Sequence, residues 1–71
     1  MIQVVIYNRP SDYPDGYLVK TYIVERGNIA PGKILGHSLP SLEAARELVP
    51  DGMWRIERLP GDDPVIVEVW V

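Results

Sequence analysis

The chain has 71 residues, no cysteine and a single histidine, with 10 acidic against 7 basic side chains for a net charge of -3. That length supports one domain, residues 1–71, with a thin core, and the composition excludes disulfides, thiolate metal sites and imidazole-rich metal sites. The basic residues Arg9, Lys20, Arg26, Lys33, Arg46, Arg55 and Arg58 are scattered, which argues against nucleic-acid binding because phosphate recognition uses a basic stripe.

The absence of cysteine fits a reducing cytoplasm. The first residues, Met1 to Tyr7, lack the basic start and small-residue cleavage site of a signal peptide. The longest apolar run falls far short of the about 20 residues that cross a membrane. The expectation is a soluble cytoplasmic protein with no membrane contact.

Ile2 to Tyr7 is rich in β-branched residues and predicts a first strand. Asn8 to Gly16 reads as a loop, with Tyr13-Pro14-Asp15-Gly16 set for a tight turn. Tyr17 to Arg26 predicts a second strand, and Gly27-Asn28 a reversal. Ala30-Pro31-Gly32 marks an irregular point, after which Lys33 to His37 predicts a short third strand weakened by Gly36.

Ser41 is placed to cap a helix in which Leu42, Ala45, Leu48 and Val49 share one face. Glu43 suits the first turn, and Pro50-Asp51-Gly52 stops the helix after about eight or nine residues. So short a helix must lie on a sheet to form. Met53 to Arg58 predicts the next strand and Leu59 to Asp63 a turn. Pro64 leads a final strand, Val65 to Val71, with valine at its odd positions and Ile66, Glu68 and Trp70 at its even ones. Asp62, Asp63, Pro64 and Glu68 guard this apolar run against aggregation. The fold class is α+β: an antiparallel sheet of roughly four to five strands, β-β-(β)-α-β-β, with one short helix on one face.

Gly36-His37-Ser38-Leu39 resembles the phosphopantetheine attachment motif of peptidyl carrier proteins, which would make Ser38 the modified residue. Carrier proteins are four-helix bundles, whereas the residues upstream of Ser38 are strand-like and Pro40 follows closely, so a turn role fits Ser38 better. His37-Ser38-Leu39 with Val49-Pro50 and Gly52 is also faintly similar to the small MbtH-like proteins that assist adenylation enzymes; the spacing and the closing strand depart from that family.

Nucleophilic catalysis would have to pair His37 with Ser38 or Ser41, and sequence neighbours rarely adopt that geometry. Asp12, Asp15, Asp62 and Asp63 sit among Gly and Pro, where aspartate bonds its own backbone more often than a cation. No cofactor, metal or enzymatic activity is expected.

Binding residues are sought instead. Tyr13 stands in a loop with no evident core to join, and tyrosine is frequent at interface hot spots. If the helix covers the valine face of the final strand, Ile66, Glu68 and Trp70 form an uncovered face, with Trp54 on the neighbouring strand. The expected interaction residues are thus Tyr13, Ile66, Glu68 and Trp70. The expected function is a non-enzymatic protein-interaction or regulatory module. Its partner would be another protein or a second copy in a homodimer, since thin cores favour self-association. Size and composition also suit a small bacterial or phage accessory protein. The alternative is a small-ligand binder or minor enzyme with its site around His37 and Ser38, which requires a hollow there.

Overall fold

The β-branched run at the start of the chain becomes the centre of the sheet. The computed structural model describes residues 1–56, 61 and 63–71. Its elements are β1 (Ile2–Asn8), β2 (Tyr17–Glu25), β3 (Asn28–Leu39), α1 (Leu42–Arg46), β4 (Arg55–Ile56) and β5 (Ile66–Trp70). The strands form one antiparallel sheet in the order β3-β2-β1-β5-β4. This is the small α+β fold that the sequence predicts. Glu57 and Arg58 of the predicted fourth strand, and Leu59, Pro60 and Asp62 of the predicted turn, lie outside the described residues.

Glu25 and Asn28 face one another across β2 and β3, so the hairpin loop is Arg26-Gly27. Both loop residues have positive φ, 44° and 82°, as a type I′ turn requires. The reversal thus falls one residue earlier than Gly27-Asn28.

β3 is 12 residues long, far longer than the predicted Lys33 to His37, and runs through Ala30-Pro31-Gly32 without a break. Proline is tolerated because β3 is an edge strand. Its register against β2 shifts three times between Tyr17 and Tyr22. At one shift the Thr21 hydroxyl accepts a 2.7 Å hydrogen bond from the Lys33 amide in place of a ladder bond. Gly32 allows that approach, since a Cβ there would sit 2.9 Å from the Thr21 carbonyl oxygen.

The Ser41 hydroxyl accepts from the Ala44 amide at 3.1 Å and starts α1. The helix is shorter than the sequence suggests, with 5 residues. Leu48 and Val49 bond back to the carbonyls of Ala45 and Arg46 in a tighter turn. Pro50 accounts for this, because it disfavours the α conformation in the residue before it. Beneath the helix, Val4, Ile6, Val19 and Ala45 are fully buried, ringed by residues that include Leu42, Val49, Met53, Val67 and Trp70. Among the described residues no helix is long and apolar enough to cross a membrane.

The facing of β5 corrects a sequence-based expectation. Val4 pairs with Trp70, Ile6 with Glu68, and Tyr7 with Ile66, so Val67 is the extra residue of a bulge. A bulge breaks the two-residue alternation. Val67, Glu68 and Trp70 therefore lie on the helix side, and Ile66 and Val69 on the other. The helix does not rest on a continuous valine face. Arg55, not Trp54, stands opposite Trp70, so the two indoles point to opposite sides of the sheet.

Candidate interaction face

The helix side of the sheet is closed by one carboxylate. Glu68 is 4% exposed. Arg46 of α1 donates to it from Nε at 3.0 and 3.1 Å and again from Nη2. Arg55 Nη1 and Trp70 Nε1 each donate at 3.3 Å. The hydrogen bonds from Arg46 hold the carboxyl below the usual glutamate range, against burial, which pushes the other way. Of the predicted binding residues, Glu68 and Trp70 are thus engaged inside the fold.

Tyr13 is engaged as well. Its ring lies 4.9 Å from that of His37, tilted by 34°, and pins the loop between β1 and β2 to the end of β3. His37 Nδ1 and the Ser38 hydroxyl are 3.2 Å apart. Ser38 has a φ of 54°, a left-handed conformation that serine seldom adopts. Gly16 lets the loop cross here, since a Cβ would meet the Leu39 carbonyl oxygen at 2.5 Å.

Among the described residues, the other side of the sheet carries no helix. Pairing fixes which side chains it presents: Val5 and Tyr7 from β1, Tyr22 from β2, Val69 and Ile66 from β5, and Ile56 from β4. Trp54 joins them, because its backbone exchanges hydrogen bonds with Val71 and it alternates with Arg55. Trp54 is 79% exposed, Ile29 67% and Ile56 46%.

Near the middle lies a shallow hollow of about 300 Å³ lined by Gln3, Val5, Tyr7, Tyr22, Ile29, Ile66 and Val69. The Tyr7 and Tyr22 hydroxyls are 2.6 Å apart at its wall. Burial, and then the bond with Tyr22, push the Tyr7 phenol well above the ordinary tyrosine range, so it stays a neutral hydroxyl. A second hollow of about 270 Å³ lies on the helix side, between Ile2, Ile23, Lys33 and Pro50. Neither hollow is lined by His37 or Ser38.

Of the four predicted residues, only Ile66 reaches the open face. Trp54, Ile56, Tyr7, Tyr22 and Val69 were not predicted there. The signal for Trp54 and Ile56 is their spacing of two, which puts them on one side of any strand; which side depends on their pairing with β5. Compared with family models, curated proteins and solved structures, the chain matches none.

Proposed function

We propose that this chain is a non-enzymatic, cytoplasmic protein-binding module that docks through the open face of its sheet. One observation carries the reading: a tryptophan that is 79% exposed shares that face with exposed Ile56 and Ile29. Large apolar side chains gathered on one uncovered side usually mark an interaction site, and tryptophan and tyrosine dominate interface hot spots. The tyrosine pair adds hydroxyls that can bond a partner's backbone. Nucleic acid is a poor fit to a face built from these side chains. A ligand site at His37 and Ser38 would need a hollow that the two described cavities do not provide.

Capture from an extract of the producing cells tests the reading. Immobilised wild-type chain should retain a protein, its own chain included, that Trp54→Ala and Ile56→Lys chains of unchanged circular dichroism release. Equal retention by wild type and variants, or none by the wild type, would overturn it.

A further inference from the structure

We propose that the occupant of the open face is a second copy of this chain, held by reciprocal insertion of Trp54 into the partner's hollow. The inference rests on the docking face proposed above and adds its partner and geometry.

The face carries a projecting group and a recess together. Trp54 stands beside β4 at one edge of the sheet, 79% exposed. The hollow of about 300 Å³ lies over β2, β1 and β5, with Val5 and Val69 in its lining. A two-fold axis in the plane of contact, midway between them, carries each indole onto the other copy's hollow. Such an isologous contact makes every interaction twice.

The fit extends to size and chemistry. An apolar cavity of roughly 150 Å³ accommodates benzene, so this hollow has room for an indole. An indole N–H needs an acceptor when buried, and the Tyr7 and Tyr22 hydroxyls and the Gln3 amide supply one.

Charge and area agree. Among the described residues, this face carries Lys20, whose ammonium lies 5.5 Å from the Tyr22 ring centroid, and Asp63 lies near enough to Tyr7 to act on its phenol. Opposite charges thus flank the tyrosine pair, so the described face neither selects a partner of one sign nor strongly repels its own copy. The molecule measures 34 by 27 Å along its longer axes. The face therefore offers on the order of 600–800 Å² per copy, near the about 800 Å² of a standard interface.

Sedimentation equilibrium over nanomolar to millimolar concentrations tests the inference. The wild type should dimerise, Trp54→Ala should weaken the dimer at least about tenfold, and Trp54→Phe should retain most of it. Ile29→Glu, at a lining residue that is 67% exposed, should also weaken it by spoiling the recess. An equimolar mixture of Trp54→Ala and Ile29→Glu chains should pair better than either alone, because one indole then meets one intact recess. A wild type that stays monomeric throughout, a Trp54→Ala dimer as tight as the wild type's, or a mixture no better than its components would overturn the proposal. A monomeric wild type that still captures a different protein through Trp54 would separate failure of this inference from failure of the docking face.

Discussion

The carboxylate of Glu68 sits where α1, β4 and β5 meet, and it is the one buried charged group among the described residues. Its sequence neighbours are valines, so a buried charge there needs partners. These come from Arg46, 22 residues away, and Arg55, 13 away. Those separations are why the role of Glu68 could not be read from the sequence, although its oddity in an apolar strand could. A carboxyl whose folded-state pKa is depressed contributes stability that is complete above its unfolded value, about 4.3. That contribution is lost as pH falls through the folded value. The melting temperature should therefore drop in acid below about pH 4, and Glu68→Gln should flatten that drop; parallel melting curves from pH 7 to 2 would refute the assignment. At pH 7 the substitution should cost about 1.5–3 kcal/mol, the scale of charged hydrogen bonds. The larger loss typical of a broken buried pair does not apply. The Arg46 and Arg55 side chains are 43% and 51% exposed and keep their water when the carboxylate is removed.

Among the elements, those whose signals are local were legible. The β-branched run of β1, the Tyr and Val positions of β2, and the Ser41 cap each act over a few residues, and each lies where the sequence puts it. β3 was not legible, because Ala30-Pro31-Gly32 breaks a strand only if the strand needs the proline's missing N–H. An edge strand with a shifting register does not need it. The face of β5 was not legible either, because one bulge at Val67 reversed the alternation on which the reading rested. For the candidate site, this put Glu68 and Trp70 on the helix side and left half-buried Ile66 as the one member of the set on the open side. The importance of β5 was visible, and its position strengthens it. β5 lies between β1 and β4, and Val71 exchanges backbone bonds with Trp54. Deleting Val69 to Val71 removes the pairs with Val5 and Val4 as well. The truncated chain should be unfolded at 25 °C by circular dichroism; a melting temperature equal to that of the full chain would contradict this.

For the whole molecule, the β3 edge of the sheet discourages growth sideways. β3 is repeatedly bulged and carries Pro31. Such an edge is a poor template for an added strand. The proposed pairing uses the uncovered apolar side instead, where a two-fold contact closes on itself. If pairing contributes to stability, the melting temperature must depend on concentration, because dilution favours the dissociated, unfolded chains. A tenfold dilution should lower it by roughly 2–6 °C for a domain of this size, while the Trp54→Ala chain should melt at one temperature throughout. A wild-type melting point independent of concentration would argue against a dimer coupled to folding.

The pairing of β1 with β5 also sets a schedule for the ribosome. β1 can pair with β2 as soon as both emerge, but its other flank waits for residues 66–70, made several seconds later at roughly 5–20 residues per second. During that interval the strand that is innermost in the finished sheet is itself an edge, with unsatisfied amides beside Val4, Val5 and Ile6. That flank stays open to misassembly until β5 pairs with it.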